Sequence, residues 1–379
     1  TSGTEAKRKW TGTRFDQNAT GEVRVRVENY AGAGSPVIYA RSLVTLGGGA
    51  SAGPAVEKWI KVTLVRTSKF ANGLVAKDTI RFSGTNATVD SWESGYPTSD
   101  VKYSAGVRRD KGSVGSVSVS VSAVTVQNAD IFGYAATGGA LPTVGPNGRV
   151  GTFTTALGTM DMSRVSTDFS ANFDPVAQPT GGTYVGPIGS TTLGTAGAAT
   201  TFSGTAISLS GDITNKLVIN GDVTLYLTAS AGSSAISVTG NASIEITSGS
   251  SLIIYTAGDV SIAGKGVLSG GSTTAAANNP TKFQLWGTST SSTKQSIGIA
   301  GNGVLSGIVY APNASVRVNG NGDVMGSVVA NDITVTGNAN FHYDESLANF
   351  SSGNPFRVAE WNEVTSAADR AALSAAMSW

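Results

Sequence analysis

Ile299-Ala-Gly-Asn-Gly-Val-Leu-Ser-Gly-Ile-Val-Tyr310-Ala-Pro-Asn-Ala-Ser-Val-Arg-Val318-Asn-Gly-Asn-Gly-Asp323-Val-Met-Gly-Ser-Val-Val-Ala-Asn-Asp-Ile-Thr-Val335-Thr-Gly-Asn-Ala-Asn-Phe-His342-Tyr-Asp344 is the stretch that decides the fold. Apolar residues alternate with small or polar ones for three to five positions, a Gly-Asn or Asn-Ala pair interrupts, and the pattern restarts. Gly-Asn pairs begin at Gly301, Gly320 and Gly337, intervals of 19 and then 17 residues, too short for a strand plus a packed helix. Short strands at a nearly fixed interval predict a chain wound into stacked coils, a solenoid of parallel strands.

The repeat extends upstream. Ile262-Ala-Gly-Lys-Gly-Val-Leu-Ser-Gly270 matches Ile299 to Gly307 at eight of nine positions, 37 residues apart, and Gly221-Asp222-Val223 recurs as Gly258-Asp259-Val260 at the same distance. Two coils of 18 or 19 residues account for both intervals. The expected solenoid is a parallel β-helix over 199–345, right-handed as parallel crossovers nearly always are, although coils this short also occur left-handed. Val318 falls on its inward side, and the expected product is a stiff, stackable rod.

Outward from this core, residues 1–112 read as an N-terminal β domain, with an antiparallel sheet over 22–67. Val23, Val25 and Val27 alternate with Arg24 and Arg26, and Val56, Ile60, Val62 and Leu64 with Lys58 and Lys61, the pattern of a sheet with one wet face. Gly47-Gly48-Gly49 and Gly53-Pro54 punctuate it. Residues 113–140 repeat the coil grammar, from Val114 through a Val/Ser alternation to Asn128-Ala-Asp-Ile-Phe-Gly133. Residues 141–198 form a crossing linker with Pro142, Pro146, Pro175, Pro179 and Pro187, since proline removes ladder donors. Residues 346–379 form a cap with a short helix from Ser366, and Trp379 is a candidate to cover the solenoid end.

Composition agrees with this all-β reading. The 379 residues include 49 Gly, only 13% are charged, and the net charge is +1, so nothing favours nucleic acid as a partner. Charge is uneven: residues 1–111 hold 17 Lys and Arg against 10 acids, and the remainder 9 against 15. With no cysteine, disulfides, thiolate metal sites and cysteine nucleophiles are all excluded. The sequence starts at Thr1 and is read as a processed or trimmed product, so membrane contact is expected only through an N-terminal segment absent from this chain.

Several of these residues carry a resemblance. Asn279 to Gly287, Gly301-Asn302-Gly303, Gly307 to Ala314, Asn319 to Asp323, Gly326 to Val329 and Phe341 to Glu345 resemble the C-terminal solenoid domain of bacterial PilX-type, type IV pilus-associated surface proteins. Val89 to Ser94, Val150-Gly151 and Glu360-Trp361-Asn362-Glu363 occur in the same order, so the likeness covers most of the chain from about residue 79. Bactofilins are similar in architecture, more distantly. The resemblance implies extracellular or cell-surface structure, a subunit of a filament or pilus that self-associates into a homopolymer.

Candidate chemistry is sparse. Parallel β-helices include polysaccharide-cleaving enzymes, which need paired carboxylates on adjacent coils. The acids of the solenoid, Asp212, Asp222, Glu245, Asp259, Asp323 and Asp332, nearly all follow Gly or Asn at an expected corner, where turn chemistry explains them. Asp222 with Asp259 is the best catalytic pair. Asp222, Asp259 and Asp323 are calcium candidates, because hard cations take carboxylate and carbonyl oxygens. No catalytic residue is assigned. His342, the single histidine, reads as a packing or cap residue between Phe341 and Tyr343, and Trp59, Trp92, Trp286 and Trp361 are candidates either for packing or for a cell-surface glycan.

Overall fold

Ile299 sits in a strand, Gln295–Ile299, that pairs in parallel with Asp259–Ile262 on one side and with Ala314 to Val318 on the other. Its neighbours extend the ladder both ways in a computed structural model that describes the chain except residues 1–4, 15–18, 31–34, 47–54, 67, 85, 270–278, 291, 301–303, 321–322, 351–355 and 379. Gly47-Gly48-Gly49, Gly53-Pro54, Gly301-Asn302-Gly303 and Trp379 therefore lie outside the described residues. The chain divides into two units, residues 1–68 with 351–379, and residues 69–350.

The larger unit is a stack of coils with three faces. One face runs through Lys216–Ile219, Ser243–Ile246 and Gly266–Ser269 to the starts of Val304–Val318 and Asp323–Val335, then Asn340–Asp344. A second runs through Ala199–Gly204, Asp222–Leu227, Ser251–Thr256 and Phe283–Gly287. The third contains Ile207–Leu209, Ser234–Val238, Asp259–Ile262 and Gln295–Ile299. Alternate residues of every strand point inward, so Leu217, Ile244 and Leu305, or Leu225, Ile254 and Leu285, form columns with essentially no exposure. Val318 is in such a column at 3% exposure. Each coil covers the apolar rows of its neighbours, so the stack holds where a single coil cannot.

The coils are not of one length. Leu217 pairs with Ile244, 27 positions on, whereas Leu305 pairs with Val324, 19 on, and Val324 with Phe341, 17 on. Ile262 pairs directly with Ile299, so the 37-residue match spans one enlarged coil and not two short ones. At the tight end a corner requires glycine. Gly320 and Gly337 have φ of +85° and +77°, and a Cβ on Gly337 would stand 2.6 Å from the Gly320 carbonyl oxygen.

The stack does not end at Asp344. Val328 pairs with Leu74, Ile333 with Ile80 and Phe341 with Val89, so residues 74–92 form the next coil. Gly112–Ser116, Val124–Gln127 and Asp130–Thr137 follow on it. The antiparallel sheet expected over 22–67 lies within the first unit, but the N-terminal domain expected over 1–112 stops at Ser68. Residues 70–112 alternate as any half-wet strand does, and alternation alone does not separate parallel from antiparallel pairing.

The expected linker is partly coil. Arg149–Gly151 and Val165–Ser166 stack on Asp130–Thr137, and Thr183–Tyr184 and Thr191–Leu193 lie at the other end of the stack on Ala199–Gly204 and Lys216–Ile219. Between them residues 167–182 cross the second face. The Phe169 amide binds the Thr137 carbonyl at 2.9 Å, the Lys77 ammonium lies 5.5 Å from the Phe173 ring, and the Tyr310 hydroxyl donates to the Asp174 carbonyl at 3.0 Å. Gly115 lies under this crossing, where a Cβ would come within 2.7 Å of the Phe169 ring. The terminal strands of the stack have two or three residues each, too few to template a further coil, which departs from the stackable rod expected from sequence.

The smaller unit is an antiparallel sheet of β1 (Glu5–Arg14), β2 (Ala19–Glu28), β3 (Val37–Leu46), β4 (Ala55–Arg66) and the C-terminal strand Phe356–Glu363, in that order. Helix α1 (Ala367–Ser374) belongs to this unit, with Ser366 as N-cap. The segment expected to cap the solenoid instead completes the first sheet: its edge pairs with β4, and Arg24 donates to the Met377 carbonyl at 2.6 Å.

Candidate functional surfaces

The solenoid acids separate onto different faces. Asp222 opens a strand of the second face, Asp259 one of the third and Asp323 one of the first. They cannot share a cation, and Asp222 and Asp259 cannot act as a pair across one substrate. The stacked register accounts for each carboxylate. Asp222 Oδ1 accepts from Ser251 Oγ at 2.6 Å, Asp259 Oδ1 from the Ser296 amide at 2.9 Å, and Asp323 Oδ1 from Asn340 Nδ2 at 3.1 Å. Asp212 is a turn residue: hydrogen bonds from Thr214 side chain and amide hold its carboxyl below the usual range. Among the described residues no group of three or more His, Cys, Asp or Glu is placed to hold a metal ion.

His342 is a packed residue. Its Nδ1 lies 2.5 Å from Asp90 Oδ1, and Tyr103 stacks on its ring at 3.8 Å between centroids. Asp90 is 1% exposed and also meets the Tyr103 hydroxyl at 2.9 Å and Arg108 Nε at 2.6 Å. Burial, then the Asp90 charge, push the Tyr103 hydroxyl above its ordinary range. Tyr103 and Arg108 come from residues 93–111, a long loop that covers this part of the first face. Trp92 is pinned under it through Nε1 to the Val101 carbonyl at 3.0 Å. An imidazole closed in on this side is a cross-link between coils. Nothing in the sequence pairs Asp90 with His342, since 252 residues separate them.

Of the tryptophans, Trp59, Trp92 and Trp286 are buried, whereas Trp361 is 57% exposed. Trp361 belongs to an uncovered apolar sheet face. Ala6, Val27, Ile38, Val62 and Trp361 lie across it in register; the next row is Arg8, Val25, Ala40, Ile60 and Glu363 and the third Trp10, Val23, Ser42 and Lys58, so apolar residues fill the middle and charges stand at the margins. Trp10 is 45% and Val358 55% exposed. The opposite face carries Arg24, Arg41 and Trp59 in one row and is the charged side, where Glu22 and Glu57 meet Arg24 and Arg41 at 2.5 Å. The sheet therefore inverts the ordinary arrangement. The charged side is engaged by the C-terminal segment through Arg24 and Met377, and no described element of this unit covers the apolar side. Both outer edges, β1 and the C-terminal strand, are long, of 10 and 8 residues.

The third face of the solenoid is the other open surface. Its outward positions in register are Ser208, Ser237, Ser261, Gly298, Arg317, Thr334, Arg81 and Thr125. Ser208, Ser261, Arg317 and Arg81 are exposed.

Residues 189–350 match a protein family described as a domain of unknown function, DUF7305. No curated protein matches the chain. Among solved structures, the chain is similar to the DUF3494 domain of ice-binding protein 1 of Shewanella frigidimarina, at 12% identity and TM-score 0.36, covering 73% of this chain and 95% of that one. An ice-binding protein of an Arctic yeast is similar at 11% identity and TM-score 0.32, over 73% of this chain and 93% of that one. The competence-associated pilin ComZ of Thermus thermophilus gives 11% identity and TM-score 0.27 over 95% of this chain and 87% of that one.

Proposed function

We propose that this chain is a non-enzymatic structural protein of an extracellular or cell-surface assembly, and that it self-associates through its five-stranded sheet into a pilus-like filament. The observation that carries this reading is the open apolar face with Trp10, Val23, Val358 and Trp361 each more than a third exposed. An apolar sheet face of this extent marks a surface that another molecule covers. The outer strands direct how copies meet. β1 carries Lys7, Arg8, Lys9 and Arg14 against Glu5, and the C-terminal strand Glu360 and Glu363 against Arg357, so the two edges differ in the sign of their net charge, although Lys7, Lys9 and Glu363 also pair within the sheet with Glu5, Glu22 and Lys58. Contact between the two edges is head-to-tail, and head-to-tail contacts continue into open filaments unless a rotation closes them. The solenoid serves in this reading as a stiff body, held by its coil-to-coil columns.

Sedimentation velocity and electron microscopy over a concentration series test this proposal. Assembly is expected for the unaltered protein and is expected to be lost in a Val25→Glu, Trp361→Glu variant. A monomer at every concentration and salt, or an assembling variant with an intact fold, would overturn it.

A further inference from the structure

Arg81 and Arg317 are set apart from the other solenoid arginines. Arg108, Arg109, Arg149 and Arg164 each meet a carboxylate, on Asp90, Glu345, Asp130 and Asp110. Among the described residues, Arg81 and Arg317 meet none, and both are exposed. They occupy the same outward column of the third face with Thr334 between them: Arg317 pairs in register with Thr334, and Thr334 with Arg81. Two rungs of a parallel sheet place their Cα atoms about 9.6 Å apart along the stack. Asp332, the carboxylate beside this column, is already occupied by Lys294 Nζ at 2.9 Å, Ser315 Oγ at 2.5 Å and Asn331 Nδ2 at 3.0 Å. Asp78 lies at the corner before Arg81.

From this register we infer that the third face binds an acidic polysaccharide laid along the stack. The rung spacing is close to the length of one pyranose in an extended glycan, so positions two rungs apart meet every second sugar. A chain with an acidic group on alternate or on every residue then offers an anion to both guanidiniums, each able to take a carboxylate or sulfate with two parallel hydrogen bonds. The rest of the column supplies what a sugar backbone needs. Ser208, Ser237 and Ser261 on one side and Thr125 and Thr143 on the other present hydroxyls in the same register. The column holds no aromatic ring, which favours a glycan bound by its charged and hydroxyl edge over one stacked on its face.

Binding of polygalacturonate and of dextran sulfate, with neutral dextran as control, tests the inference on the whole chain by calorimetry. Binding to at least one of the two acidic polymers is expected, weakening as salt rises and absent for dextran, and the stronger of the two identifies carboxylate or sulfate as the anion. The Arg81→Gln, Arg317→Gln double variant is expected to lose about tenfold or more in affinity and to melt with the unaltered protein, since both side chains are exposed. Lys216→Gln, which removes a half-buried cation of the first face paired with Glu245, is expected to bind as the parent does. No binding to either polymer, equal binding of dextran, or unchanged affinity in the double variant would overturn the inference. Filament assembly in the double variant reports separately on the sheet, because neither arginine belongs to it.

Discussion

Asp90 Oδ1 and His342 Nδ1 stand 2.5 Å apart on adjacent coils that lie 252 residues apart in the chain. They fasten the junction where the last coil of one run meets the first coil of the other, and Tyr103 and Arg108 close over them. Removing one partner of a buried, hydrogen-bonded charge cluster leaves the others unpaired. Asp90→Ala is expected to cost about 3–5 kcal/mol, read as a shift in the denaturant midpoint. A midpoint within error of the parent would show that the junction holds without the cluster.

Asp344 makes a prediction about pH. It is buried, Oδ1 accepts from the Ser346 amide at 3.0 Å and the Ser94 amide at 3.2 Å, and Oδ2 has no partner among the described residues. Burial pushes its carboxyl above the ordinary range, outweighing those hydrogen bonds. A raised folded-state pKa means that this group favours folding most below its unfolded pKa and loses that contribution as pH rises through the folded value. Asp344→Asn does not titrate, so its melting temperature relative to the parent is expected to rise as the pH is raised from the ordinary carboxylate range upward. A constant difference across that range would contradict the assignment.

Val318→Asp places an unpaired carboxylate in an inward column, where the side chain it replaces is 3% exposed. The expected loss is several kcal/mol, enough to abolish a cooperative melting transition of the solenoid. An unchanged melting curve would refute the inward placement.

Phe169→Ala tests the crossing over the second face. Phe169 is partly buried against the core above Gly115. Its truncation is expected to cost about 1–3 kcal/mol and to speed proteolysis within 167–182 before the coils are cut. Cleavage at the parent rate would mean that the crossing is held without its aromatic anchors.

The coil grammar of 199–345 was legible because each turn needs the same things at the same place: a small corner residue, then two or three inward apolar side chains. The interval itself misled. Asp222 and Asp259 follow glycine in identical tripeptides, yet they sit on different faces, because coils of unequal length move equal spacings to unequal positions. Residues 74–92 carry the same alternation as β2 and β4, and only pairing partners tell them apart. Those partners, Val328 and Ile333, lie more than two hundred positions away. The apolar sheet face was visible as Val23, Val25 and Val27. That it stays open, and that the C-terminal strand lies at its edge, depends on contacts no local pattern encodes.

The seam between Leu74 and Val328 also sets a timetable. Coils 74–166 leave the ribosome first and display one unsatisfied strand edge, which finds its partner only when the coil of 328–343 has been made. Closure of so large a loop is late and slow. Until then the waiting edge is open to pairing with another chain. A chain cut short before Val328 would therefore be lost to aggregation, although most of its coils are already written.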